Sequence, residues 1–191
     1  MKTLKDFNFE NKKAIIRVDF NVPLNDKFEV TDATRIEAAK STIIEILEGG
    51  GSCVLMSHLG RPKGKQDEFS LRHIVDDIKK IIGVNVKFVD DCVGEKAEEA
   101  VANLEKGEVL LLENLRFYSE EEKGDVAFAK QLSNLGDIYV NDAFGTAHRA
   151  HASTTIIAQF FEGNKCFGNL LAREIESIDK VLNNSEKPVL A

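Results

Sequence analysis

KKAIIRVDF, residues 12–20, is the stretch from which the fold follows. Its apolar residues run together rather than alternating with polar ones. A strand with one face in water alternates, whereas a strand covered on both faces does not. Working outward, ATRIEAAKSTIIEILEGGG (33–51) carries Ile36, Ala39, Ile43, Ile44 and Leu47 on one helical face and ends in glycines. GSCVLMS (51–57) is a second apolar run of strand length. Strand, helix, strand is the unit of a parallel sheet, because parallel neighbours need a crossover connection.

The scheme continues to the C-terminus. VNVKFV (84–89), GEVLLLEN (107–114) and GDIYVNDAF (136–144) are further strand candidates. SLRHIVDDIKKIIG (70–83) has a serine cap, a Leu71–Ile74–Val75–Ile78–Ile82 stripe and a closing glycine. GEKAEEAVANLEKG (94–107) and GDVAFAKQLSNLG (124–136) follow the same pattern, and helices are expected at HASTTIIAQFF (151–161) and NLLAREIESIDKVLNN (169–184). The fold class implied is α/β: a doubly wound, Rossmann-like parallel sheet with helices on both faces and right-handed crossovers. SEKPVLA (185–191) reads as a turn and the start of another strand. Residues 1–183 are therefore expected to form one domain, and 184–191 the beginning of a hinge or second unit of a longer protein.

Composition narrows the function classes. A 43% hydrophobic and 30% charged chain is that of a globular protein, not a disordered one. A formal net charge of −7 argues against nucleic acid, whose affinity comes from many Lys and Arg. It leaves room for a small anion, which needs only a local cationic patch. Cys53, Cys92 and Cys166 are odd in number and far apart, as expected for buried thiols in a reducing compartment. The N-terminus has no apolar signal region, and no run approaches a membrane span. A cytoplasmic protein, off the membrane, is expected.

Ligands of open parallel sheets bind beyond the carboxyl ends of the strands. There the chain places Asp19 and Asn21 after strand one, His58, Arg61, Lys63 and Lys65 after strand two, and Arg116 after strand four. After strand five, His148, Arg149 and His151 stand within four residues. Strand three ends in the acidic VDDCVGE and is expected at a sheet edge. Arg35 falls in the first turn of a helix capped by Asp32 or by Thr34 with Glu37, where a cation opposes the helix dipole at a cost of about 0.3–1 kcal/mol. Such a broken rule points to function, and an arginine at a helix N-terminus suits an anion. Each residue also has a plainer reading. Asp19 and Asn21 suit a turn before Pro23, and Arg61 suits a solvated loop. Arg116 and Arg149 could pair with the acids at 120–122 or with Asp142. Arg17 suits a structural ion pair, Glu120 to Glu122 a solvated turn, and His73 the surface. Four loops of one charge sign on one sheet edge favour a small polyanion, best with phosphate. There is no phosphate-loop motif and no GxGxxG after a strand.

RVDFNVPL (17–24), TRI (34–36), SHLGRPKG (57–64), LLENLRFYSEEE (111–122) and YVNDAFGTAHRAHAS (139–153) together resemble the phosphoglycerate kinase family, in its order and spacing over essentially the whole chain. The resemblance implies a two-domain monomer that passes a phosphoryl group between 1,3-bisphosphoglycerate and ADP. Its N-terminal domain holds 3-phosphoglycerate; its C-terminal nucleotide domain, which would be this chain's partner, holds Mg-ATP or Mg-ADP. The substrate set implied here is Asp19, Phe20, Asn21, Arg35, His58, Leu59, Gly60, Arg61, Arg116 and Arg149, with Arg35 at the carboxyl end where transfer occurs and His148 and His151 flanking. The nucleotide-binding half has no counterpart in these 191 residues, so no cofactor site and no metal site is expected in them, and the chain alone is expected to be inactive. The competing class is a stand-alone anion-binding module without catalysis.

Overall fold

The computed structural model describes residues 2–147 and 149–183. Six strands form one all-parallel sheet: β1 (Lys13–Arg17), β2 (Ser52–Met56), β3 (Val86–Phe88), β4 (Val109–Leu111), β5 (Ile138–Asn141) and β6 (Lys165–Phe167). Their order is β3-β4-β2-β1-β5-β6. The acidic-ended strand three is at an edge, as expected. The four strands whose ends carry cations or hydrogen-bonding groups, β4, β2, β1 and β5, are neighbours.

Helices α1 (Thr34–Glu48), α2 (Val75–Ile82), α3 (Glu95–Ala102), α4 (Ser119–Lys123), α5 (Val126–Ser133) and α6 (Asn169–Asn183) fill the connections. The apolar run of β1 is sealed from both sides. Ala14 and Ile16 pack with Ile36, Ile43 and Ile46 of α1 and with Ile74 and Ile78, whereas Ile15 packs with Ala97 and Val101 of α3 and Phe128 and Leu132 of α5. All three β1 residues are fully buried. That is why the run does not alternate. At about 25 cal/mol per Å² of apolar area, each such aliphatic side chain stabilises the fold by roughly 1.5–3 kcal/mol.

Two sequence expectations need correction. Residues 162–168, left without an element between the two expected helices, contain β6. A three-residue strand with one buried side chain, Cys166, has no detectable period. It is held by pairing with β5 and by a bridge from Thr3 to Phe167. The expected helix at 151–161 is not a regular α-helix. A wide turn over Ala152–Ile156 passes into a tight one over Ile157–Phe160. The remaining helices stand where expected, with Leu71–Ile74 a tight turn leading into α2 and Ser70 capping it through Arg72 N. The expected strand start at 185–191 lies outside the described residues.

Among the described residues no helix is long and apolar enough to cross a membrane. Cys53, Cys92 and Cys166 are buried free thiols. Burial raises all three thiol pKa values, that of Cys166 up to about 12, so they stay protonated.

Candidate anion-binding site

Each of the four central strands releases a loop at its carboxyl end. After β1 the chain turns through Asp19 and Asn21. Ser57 Oγ fixes this turn by accepting from Phe20 N at 2.8 Å, and Asn21 Oδ1 accepts from Gly60 N at 2.8 Å. The loops after β1 and β2 are thus tied together before any ligand arrives. Gly60 has φ +64, and a Cβ there would lie 2.4 Å from the Phe69 ring, so glycine is required.

The loop after β4 clamps the loop after β2. Asn114 Nδ2 donates to Leu59 O at 2.8 Å and Phe69 O at 2.9 Å. Arg116 NH1 donates to Gly60 O at 2.8 Å. Glu113, buried, accepts from Ser70 Oγ, Leu71 N and Asn114 N at 2.6–2.8 Å. These are charge-assisted or buried contacts, the stronger kind.

The result is a cavity of about 280 Å³ lined by Asp19, Asn21, Arg35, His58, Gly60, Arg61, Arg116, Gly145, Thr146 and Arg149. Four guanidiniums face a single carboxylate, Asp19. An acidic protein has put a positive potential in one crevice, at the point where connections leave β1 and β5 toward opposite faces of the sheet. Of the expected site residues, Phe20 and Leu59 have buried side chains in the core; they can offer a ligand only backbone. The other eight line the cavity. Gly145 and Thr146 were not anticipated. They belong to the turn 143–147, which carries no charged side chain and so no signal for an anion.

The charged groups are held differently. Arg116 is nearly buried, with NH2 3.3 Å from Glu122 Oε1. Arg61 and Arg149 are exposed and make no side-chain hydrogen bond or ion pair with the described residues. Arg35 is the second residue of α1, and Asp32 Oδ1 accepts from Thr34 N at 2.9 Å just before it. The cation therefore does oppose the dipole. It is not without a resting partner, however, because its NH1 pairs with Asp19 Oδ2. His58 is 4% exposed. Burial, then the adjacent Arg17 cation, push its pKa down to about 2, so it is neutral at every physiological pH.

Three plainer readings change. Arg17 is buried in contact with Ser153, Val18 O and His58, and no carboxylate pairs with it among the described residues. Glu121 is not solvated: its side chain is buried, accepting from Ser153 N at 3.0 Å and Ser153 Oγ at 2.6 Å. His73 is partly covered, stacked on Phe28 at 4.2 Å. Lys65 leaves the site for Asp90 O. His151 sits beside Glu121, its Nδ1 3.9 Å from Oε1, while His148 lies outside the described residues. Among the described residues no group of three or more His, Cys, Asp or Glu side chains could hold a metal ion.

The sheet order and the crevice define a doubly wound α/β protein with cations gathered at the carboxyl ends of its central strands. The sequence model described as phosphoglycerate kinase matches residues 4–191, and the chain belongs to that family. It is 52% identical over 190 residues to a phosphoglycerate kinase of Moorella thermoacetica, covering 99% of this chain and 48% of that protein. Against cytosolic phosphoglycerate kinase 3 of Arabidopsis thaliana it is 48% identical, covering 99% and 47%. The crystal structure of the Pyrococcus horikoshii phosphoglycerate kinase superposes with a TM-score of 0.89 at 33% identity, over 98% of this chain and 47% of that one. The chain spans about half the length of the curated relatives it matches.

Proposed function

We propose that this chain is the 3-phosphoglycerate-binding half of a cytosolic phosphoglycerate kinase of glycolysis. The observation that carries the reading is the single cavity where Arg35, Arg61, Arg116 and Arg149 meet across four strand ends. In it the phosphate end of 3-phosphoglycerate takes forked contacts from Arg61, Arg116 and Arg149, and the carboxylate end lies toward Arg35. Asp19 and Asn21 meet the substrate hydroxyl. The acceptor is a carboxylate, already ionised at neutral pH, so no general base is needed, and neutral His58 serves as a donor. Phosphoryl transfer then depends on alignment and on cations set where charge is redistributed. Arg35 is the residue assigned to that task. The Mg-ATP or Mg-ADP comes from the other half of the protein, brought across by domain closure. Without it the chain transfers nothing, and with it the unit acts as a monomer.

A stand-alone anion module would need only the cations. Calorimetric titration separates the two readings. Substrate recognition predicts that 3-phosphoglycerate binds more tightly than glycerol 3-phosphate, which lacks the carboxylate, and that affinity falls as salt rises. Equal affinity for 3-phosphoglycerate, glycerol 3-phosphate and inorganic phosphate would support the anion module and overturn the substrate assignment.

A further inference from the structure

His58 lines the cavity, but Arg17, which touches it, does not. Arg17 NH2 lies 3.1 Å from His58 Nδ1. A guanidinium carries donors and no acceptor, so Nδ1 must be the accepting, proton-free nitrogen. In a neutral imidazole the hydrogen is then on Nε2. Nε2 has no hydrogen-bond partner among the described residues, and Asp142 Oδ2 is the one sealed side-chain oxygen or nitrogen without a partner there. Nε2 is therefore not sealed off, and it belongs to a side chain that lines the cavity.

Arg17 is itself fixed from behind. It is 1% exposed. Its NH1 donates to Val18 O, and its Nε donates to Ser153 Oγ at 2.9 Å. Since the Ser153 hydroxyl accepts from Arg17, its own hydrogen goes to Glu121 Oε1, 2.6 Å away. Glu121 Oε2 takes Ser153 N at 3.0 Å. Each contact has one permitted direction: Arg17 donates both to His58 Nδ1 and to Ser153 Oγ, and Ser153 in turn donates to the buried Glu121 carboxylate.

We infer that Arg17 is a positioning residue for the anion site. Braced by Ser153 and Glu121, it sets the tautomer of His58 and so presents an Nε2–H donor to the ligand. Only the last step rests on the 3-phosphoglycerate reading. The charged or titratable groups facing His58 are Arg17 from β1, Arg116 from the turn after β4, Arg35 from α1 and His151 before the wide turn. The three arginines and burial all oppose an imidazolium, so the donor is neutral and its bond to an anion does not switch with pH.

The test is imidazole nitrogen NMR on this chain without ligand. The wild type is expected to show His58 protonated on Nε2 only, unchanged from about pH 5.5 to 8. Arg17→Met should mix the tautomers and weaken 3-phosphoglycerate binding by about tenfold, one hydrogen bond to a charged group. Arg17→Lys, which keeps a donor beside Nδ1, should restore the Nε2–H form. Ser153→Ala, which loosens Arg17 without removing it, should give an intermediate spectrum. An Nδ1–H tautomer in the wild type overturns the inference, as does an unchanged His58 spectrum in folded Arg17→Met. If Arg17→Met does not fold, the wild-type and Arg17→Lys spectra decide alone. The expected tautomers with no binding of 3-phosphoglycerate would support the relay and remove the ligand assignment instead.

Discussion

Replacing Arg35 with alanine is expected to leave the fold nearly untouched and the reaction badly damaged. On the stability side two effects oppose each other. Arg35 stands second in α1, where a cation costs about 0.3–1 kcal/mol against the helix dipole. Its ion pair with Asp19 returns a similar amount. The arginine side chain is 50% exposed and Asp19 13%, so solvent screening holds the pair near the 0–1 kcal/mol of surface pairs. The difference is within roughly 1 kcal/mol of zero, or about 2–4 °C in Tm at most for a domain of this size. Asp19 keeps enough solvent contact to survive the loss of its partner. Turnover is another matter. A cation already in place where charge is redistributed acts in the transition state more than in the ground state, and removing one such donor costs about 10²–10³-fold in kcat. Thermal melts of Arg35→Ala in this chain, and steady-state kinetics in the complete two-half enzyme, measure the two sides separately. A loss of Tm well beyond 4 °C would make Arg35 a structural residue. Normal kcat in the complete enzyme would remove it from the chemistry.

Arg116→Ala should weaken 3-phosphoglycerate binding by about 1.5–3 kcal/mol, and Arg116→Lys should recover only part of it because the lysine point charge cannot fork; calorimetry on the three proteins checks this, and equal affinities would take Arg116 out of the site. Gly168→Ala would place a Cβ 2.3 Å from Asp142 Oδ1, so this segment and the start of α6 must shift; a loss of more than about 1 kcal/mol in denaturant melts is expected, as for other overpacked sites. Asp142 has its pKa raised, first by burial, against the Leu170 and Leu171 N–H groups that donate to its Oδ1. Its folded pKa lies above the unfolded one, so its stabilising contribution is complete at low pH and is lost as pH rises through the folded value. Asp142→Asn should therefore remove one component of pH dependence that sets in as pH rises past the ordinary carboxylate value, visible as a flatter stability curve than wild type; identical curves would mean that burial does not oppose the ionisation of Asp142.

Most of the site was readable before the fold was known because parallel strands put every carboxyl end on one edge of the sheet. Asp19, Asn21, His58, Arg61, Arg116 and Arg149 follow strands, and their types announce an anion. The adjacency of β4, β2, β1 and β5 was not readable, since strand order depends on contacts that no local period encodes. β6 was missed for a different reason. Its three residues are too few to show a period, and its place is settled by β5 and by Thr3, at the far end of the chain. Arg17 was misjudged because charge was paired with charge. The partners of Arg17 are a hydroxyl 136 residues away and an imidazole 41 residues away. Glu121 is one of three consecutive acids, and only the helical turn of α4 decides which of them faces inward.

The cavity draws one wall from each of four central strands, with Asp19 and Arg149 at opposite ends of the sequence it uses. No hairpin or single crossover unit contains a usable part of it. During folding it can appear only after β5 has docked on β1, a pairing of residues more than 120 positions apart, and such distant pairings are slow to form. A ligand of this cavity would thus be captured late, and only by completed molecules. Once bound, a ligand stabilises the chain by RT ln(1 + [L]/Kd). That increment falls on global unfolding rather than on local fraying. Backbone amides of β1, β2, β4 and β5 should slow in hydrogen exchange together on ligand addition, while those of the edge strand β3 and the outer half of α6 keep their own pace.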